Sequence, residues 1–153
     1  MKNTFKVRVA TKKDAKLILF FIRALATFEK LRHEVKATTR QIEQTLFGRK
    51  KFAEVLIAFE GQTPIGFALF FHNYSTFLGK PGIYLEDLFI LPQYRSSGYG
   101  KKLLEHIFQL AKKRKCGRVE WSVLNWNQRA QKFYVQLGAQ PMKAWTVYRY
   151  TQF

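Results

Sequence analysis

YLEDLFILPQYRSSGYGKK, residues 84–102, holds an acidic strand, a loop and a helix start in direct succession. Its first half is aromatic and branched, as a buried strand should be, and carries two adjacent acids, Glu86 and Asp87. Pro92 has no N–H to give to a ladder and ends the pairing. Past Gly100, the residues Leu103, Leu104, Ile107, Phe108 and Ala111 recur at helical spacing. Between strand and helix lie Arg95, Ser96, Ser97, Gly98, Tyr99 and Gly100. A strand feeding a glycine-bearing loop feeding a helix leaves unpaired N–H groups at the helix start, which suit an anion and phosphate above all. Gly98 and Gly100 let the main chain approach a diphosphate with no Cβ in the way.

Outward from this stretch the punctuation is regular. Residues 5–9 alternate and predict a first strand; Thr11 or Asp14 caps a helix to about Lys30, with Leu17, Ile18, Phe21, Leu25 and Phe28 inward. Thr38 and Gln41 form a capping-box pattern for a short helix to Phe47. Residues 52–59 and 65–73 read as strands around a turn at Gly61 and Pro64, and 74–82 as a loop. The helix after Gly100 ends near Lys115, where Gly117 breaks it. A strand over 118–123, a helix over 127–137 stopped by Gly138, and a last strand over 143–150 follow. An early hairpin followed by strand–helix–strand units predicts an α/β (α+β) fold. The expected form is one domain over 1–153, a mixed sheet of about six to seven strands flanked by about four helices.

The totals narrow the class. A chain of 153 residues, 47% apolar and 16% aromatic, is not disordered. At this size a fold buries about 68–70% of the unfolded chain's surface. The longest apolar run, 17–22, stops at Arg23, short of the roughly 18 residues a membrane span needs. Lys6, Arg8, Lys12 and Lys13 interrupt any leader-like apolar segment. Cys116 is the single cysteine, so no intrachain disulfide forms and a reducing, cytoplasmic setting is expected. His33, His72 and His106 lack metal-ligand spacing, and no metal site is expected. Twenty-seven basic residues against ten acids leave a formal charge of +17, a field that draws polyanions and repels cations. Clusters such as Lys112, Lys113, Arg114 and Lys115 leave a nucleic-acid-binding domain as one reading, testable by salt dependence.

The order of elements, with Arg-x-x-Gly-x-Gly after an acidic strand, resembles the GNAT family of N-acetyltransferases over most of the chain. Asn125-Trp126-Asn127, Phe133-Tyr134 and Leu137-Gly138-Ala139 stand at that family's spacing. Tyr84-Leu85-Glu86-Asp87, Trp126-Asn127 and Phe28-Glu29-Lys30-Leu31 are similar, more narrowly, to spermidine/spermine (diamine) N-acetyltransferases and thialysine acetyltransferases. Ser96 stands where the polyamine enzymes usually have glycine, and Phe28 where a tyrosine is common.

Acetyl transfer to an amine needs a held thioester, a deprotonated amine, a stabilised oxyanion and a protonated leaving thiolate. The main-chain N–H groups of Ser96, Ser97, Gly98, Tyr99, Gly100 and Lys101 are candidates to hold the diphosphate of acetyl-CoA, with charge from Arg95 and Lys101. The main chain around Leu88, Phe89 and Ile90 is the candidate oxyanion donor and the edge along which the pantetheine arm pairs. The resemblance implies that Glu86 accepts the amine proton and binds the cationic end, while strand alternation points Asp87 to the opposite face. It implies Tyr134 as general acid, Asn127, Arg129 and Ala130 as further cofactor contacts, and coenzyme A as product. Phe28, Glu29, Glu86, Asp87 and Trp126, with Glu34 and Trp145, are candidates for the acceptor site. No Cys or Ser is placed to take the acetyl group, so direct attack in a ternary complex is expected. The acceptor is expected to be a small primary amine; a protein N-terminus or lysine is the second reading. The resemblance also implies a homodimer.

Overall fold

The computed structural model describes residues 4–153, which group into two compact units, the larger ending at Ser122 and the smaller spanning Val123–Phe153. In the larger unit five strands form one sheet: β1 (Phe5–Val9), β2 (Glu54–Glu60), β3 (Thr63–Ser75), β4 (Lys80–Ile90) and β5 (Val119–Trp121), adjacent in that order. The first four are antiparallel neighbours and β5 runs parallel to β4. Its helices are α1 (Ala15–Phe28), α2 (Thr39–Leu46) and α3 (Tyr99–Lys113); the smaller unit holds α4 (Gln128–Gln136).

Alternation along the strands sorts the core into two layers. Val55, Ile57, Phe67 and Phe89 face α1 and α2, meeting Ile18, Phe21, Ile42 and Leu46, and the rings of Phe21 and Phe67 stack at 5.5 Å. Phe70 and Leu85 pair on the other face, where α3 buries Leu103, Leu104 and Ile107. Arg114, at the end of α3, clamps Glu54 of β2 through both carboxylate oxygens at 2.6 and 2.8 Å.

The helix starts follow from named side chains. Thr38 and Gln41 cap α2 reciprocally, Gln41 N–H donating to Thr38 Oγ1 at 3.2 Å and Thr38 N–H to Gln41 Oε1 at 2.9 Å. Ahead of α1, buried Asp14 accepts from Thr11 N–H at 2.7 Å and from Arg8 at 2.8 and 2.9 Å. These donors, Arg8 first, outweigh burial and hold the Asp14 carboxyl at about 2, below its ordinary 3.8. A depressed carboxyl stabilises the fold above its unfolded value and loses that contribution as pH falls through the folded one. Asp14→Ala should therefore cost about 2 kcal/mol at pH 7, a gap that closes as pH falls toward 2. Urea unfolding at the two pH values checks it.

Three expectations change. Residues 74–82 are mostly strand: β3 and β4 extend to Ser75 and Lys80, and only a four-residue turn with left-handed Gly79 joins them. The strand read over 118–123 contracts to β5. The last strand, over 143–150, does not form, and the sheet has five strands rather than six or seven. Strand propensity is realised only beside a neighbour that completes the ladder, and residues 146–153 make no backbone hydrogen bond with any described residue.

Candidate active site

After β4 a single turn at Pro92–Tyr94 leads into the glycine loop. Ser96 and Gly98 both adopt left-handed backbone, at φ +67° and +75°. These turns start α3 abruptly. Its first hydrogen bond runs from Lys102 N–H to the Gly98 carbonyl at 3.0 Å, so the N–H groups of Tyr99, Gly100 and Lys101 have no acceptor within the helix. A Cβ built on Gly98 or Gly100 would meet no atom within 4 Å, so the space over the loop is open. Tyr99 anchors the loop, its ring stacked on Phe5 at 5.2 Å and its hydroxyl donating to Glu60 at 3.0 Å. The residues present fit a diphosphate, as free N–H groups at a positive helix end beneath a surface without side chains.

The other charged candidates of the loop are placed differently. Arg95 turns back on β4: its Nε donates to the Ile90 carbonyl at 2.9 Å, and its guanidinium lies 4.3 Å from the Phe28 ring centre and 5.0 Å from that of Phe89. Lys101 stands exposed and pairs with Glu105 at 3.9 Å. Ser97 is exposed at the loop's outer turn.

The two acids of β4 do not obey simple alternation. Phe70 of β3 pairs with Leu85 and the next residue back, Leu69, pairs with Asp87, which leaves Glu86 as the extra residue of a β-bulge. Leu69 and Phe70 point to opposite faces, so Leu85 and Asp87 do too, although two residues apart. Because alternation does not carry across a bulge, the register gives Asp87 its face and leaves that of Glu86 unassigned. Asp87 consequently joins the face of Leu69 and Phe89, which is also the face of α1. Glu86 is exposed and Asp87 partly buried.

Burial, then the charges of Glu86 and Glu29, push the Asp87 carboxyl from its ordinary 3.8 up to about 7. Glu29, the residue at the C-terminal cap of α1, is also raised, by burial. Phe28 beside it meets Phe89 with ring centres 6.4 Å apart. Phe28, Glu29, Asp87, Phe89 and Arg95 thus gather where α1 ends over β4. Glu34 is exposed in the turn that follows α1, 3.2 Å from His33. Sequence reading overlooked Asp87 as the acid of altered acidity; the signal available was a pair of acids inside an apolar strand.

β5 pairs with Ile83, Tyr84 and Leu85 only. On that side, Leu88, Phe89 and Ile90 have no strand beside them among the described residues of this unit. Two open grooves, of about 310 and 490 Å³, share Val9, Glu54 and Val55 and include none of these candidates.

In the smaller unit, Asn127 caps α4, its Oδ1 accepting from Ala130 N–H at 3.2 Å. Gln131 Nε2 donates to the Asn125 carbonyl at 2.9 Å and ties the preceding turn to the helix. Tyr134 lies on α4, partly buried, with its ring 5.5 Å from that of Phe133. Arg129 and Trp126 are exposed. No group of three metal-ligating side chains occurs among the described residues, and no described helix is long and apolar enough to cross a membrane.

The acid-bearing strand of a mixed sheet thus runs through a glycine loop into a helix with unpaired N–H groups at its start. The chain belongs to the acetyltransferase (GNAT) family, which its residues 20–139 match, and is an N-acetyltransferase. It is 33% identical to a thialysine N-epsilon-acetyltransferase of Mus musculus, across 95% of this chain and 91% of that protein. It is 32% identical to an L-ornithine N5-acetyltransferase of Arabidopsis thaliana, across 95% and 84%. The solved structure of an integron cassette protein from V. cholerae shares the fold, with a TM-score of 0.80 at 23% identity over 99% of this chain and 94% of that one.

Proposed function

We propose that this enzyme transfers acetyl from acetyl-CoA to the primary amine of a small cationic acceptor, a diamine, polyamine or thialysine-like amino acid, by direct attack in a ternary complex. The observation that carries this reading is the gathering of Glu29, Glu86 and Asp87 in a chain with only ten acids. A field of +17 repels a cation at long range, so an acceptor that is itself cationic needs a local concentration of carboxylates. An ammonium placed among them relieves the mutual repulsion that holds the Asp87 proton. The two relatives described above are named for thialysine and L-ornithine, which agrees with this class.

Acetyl-CoA supplies the activated thioester. The N–H groups of Tyr99, Gly100 and Lys101 bind its diphosphate, with Ser96, Ser97 and Gly98 shaping the approach, and the open edge of Leu88, Phe89 and Ile90 holds the amide-bearing arm. An edge N–H there also stabilises the developing oxyanion. Asn127, Arg129 and Ala130 add contacts from the start of α4.

An alkyl ammonium has a pKa near 10.4, so it must lose a proton before attack. The Glu86–Asp87 pair accepts it, Asp87 being the member that titrates near neutrality, where a general base is most effective. Phe28 and Glu29 line the acceptor side, and Trp126, in the smaller unit, is a further acceptor candidate. Arg95, lodged on Phe28 and Phe89, stiffens that wall as well as adding charge beside the loop. Tyr134 returns a proton to the departing thiolate. Tyr134→Phe should lower kcat about a hundredfold or more and leave coenzyme A affinity unchanged, in steady-state kinetics and titration calorimetry.

A turnover panel of thialysine, ornithine, putrescine, spermidine and lysine-bearing and N-terminal peptides tests the acceptor. Turnover confined to the peptides would overturn the small-amine reading. A thermal shift with a DNA oligomer but none with coenzyme A would overturn the transferase chemistry as well.

A further inference from the structure

β1 is bonded along one side only. It is the outermost strand of its sheet, and among the described residues no strand runs beside it opposite β2. The register fixes which of its main-chain groups face outward. Ala10 N–H donates to the Val55 carbonyl and Gly61 N–H to the Thr4 carbonyl, both at 2.9 Å, so the residues bonded to β2 are the even-numbered ones. Phe5, Val7 and Val9 therefore send their N–H and C=O groups away from β2. The Val9 carbonyl accepts from Arg8 Nη1 at 3.2 Å, and no described main-chain group answers the others. A row of open donors and acceptors is a template for one more strand.

The two flanks of this edge define the guest that suits it. Phe5, Val7 and Val9 share one face. Tyr99 covers Phe5, with ring centres 5.2 Å apart, but Val9 is 66% exposed. Val7 and Val9 wall the groove of about 310 Å³, together with Leu56, Phe70 and Leu110. Lys6 and Arg8, on the opposite face, are exposed. Lys102 Nζ lies 5.7 Å from the Phe5 ring centre, and Lys113 lines the groove. The acids of the neighbouring elements are already engaged: Asp14 by Arg8, Glu54 by Arg114, Glu60 by Tyr99 and Glu105 by Lys101. The lysines are thus a surplus of positive charge. That surplus opposes pairing with the same edge of another copy and favours an acidic strand.

We propose that an acidic, extended peptide segment of a partner protein adds to the open edge of β1 as a further strand of this sheet. Main-chain hydrogen bonds to Phe5, Val7 and Val9 hold it, and side-chain alternation sets its pattern. Apolar residues on one face of the guest fill the groove beside Val7 and Val9, and carboxylates on the other meet Lys6 and Arg8. The edge shares no residue with the acetyl-transfer site, so either reading can fail alone.

A capped peptide of nine alternating Glu and Val residues, titrated into the isotopically labelled full chain, tests this. At saturation the amides of Val7 and Val9 should exchange at least about tenfold more slowly, and the Lys6 and Arg8 amides, already bonded to β2, should change less. Binding should weaken as salt rises, and the Lys and Val counterpart should not bind. Val7→Pro removes an outward donor and spares the ladder to β2, so the fold should survive while affinity falls at least about tenfold. A second measurement leaves the protein untouched. Successive residues of the guest send their N–H groups to opposite sides, so of two peptides N-methylated at every Glu or at every Val, at least one should lose binding. This arm decides the matter even if Val7→Pro unfolds the chain. The proposal is overturned if the Glu and Val peptide does not bind, or if the Lys and Val peptide binds equally. It is also overturned if the Val7 and Val9 amides keep their free exchange rates, if a folded Val7→Pro binds as the parent does, or if both N-methylated peptides do.

Discussion

Asp87→Asn should be more stable than the parent at pH 8 and close to inactive. Asp87 has its carboxyl raised from 3.8 to about 7, so between those values the folded state binds a proton that the unfolded state has released. Stability therefore falls as pH rises across that window, and above about 7 the full penalty is present. The rise is worth at most about 4 kcal/mol, an upper bound because the group is only partly buried. Asn removes the charge and the penalty together, so urea unfolding should show the gain at pH 8 and none at pH 4. Activity should move the other way, with kcat/KM down about 10²-fold or more.

The rate profile then separates the two acids of the bulge. In the parent, kcat/KM should rise through an apparent value near 7, and Asp87→Asn should abolish that limb. Glu86→Gln removes one of the charges holding the Asp87 proton, so it should shift the limb to lower pH and preserve it. If Glu86→Gln instead removes the limb, Glu86 is the acceptor and Asp87 a binding group. An Asp87→Asn variant that keeps both the limb and the rate would exclude Asp87 from proton transfer.

The second large effect belongs to Gly100. No clash within 4 Å and no left-handed backbone require a glycine there, so the fold has no use for it. Gly100→Ala should leave stability equal or raise it, by up to about 1 kcal/mol, because alanine is the better helix former. Coenzyme A affinity should fall at least about tenfold, about 1.4 kcal/mol, because the methyl stands where the diphosphate approaches. Gly98→Ala is the contrast: at φ +75° any Cβ is strained, so stability drops by about 1–2 kcal/mol as well. Calorimetric titration with coenzyme A alongside thermal melts reads both. Unchanged affinity in Gly100→Ala would place the diphosphate elsewhere.

Local sequence made much of this legible. The strand, loop and helix over 84–113, the cap of α2 and the core stripe of α3 depend on neighbours within a few residues, and composition and spacing report those; the α1 stripe holds at Ile18 and Phe21, while Phe28, expected inward, is exposed. Leu103, Leu104, Ile107 and Ala111 are buried where helical spacing put them. The rest turns on contacts distant in the chain. The bulge at Glu86 exists because Leu69 and Phe70 pair across it, and nothing within 84–90 announces the step. Arg95 reads as a phosphate ligand from its place in the loop, yet two rings from α1 and β4 and the Ile90 carbonyl draw its guanidinium back.

Residue order settled that there is an α/β sheet, where its glycine loop begins, and that acids sit inside an apolar strand, because pattern and propensity are local quantities. Folding settled which acid holds its proton near neutrality, since burial and the approach of Glu29 from α1 are set by packing. Folding likewise settled whether strand-forming residues become a strand. Residues 146–153 have the propensity, but a ladder needs a second edge, and a single chain's composition does not say where that edge lies.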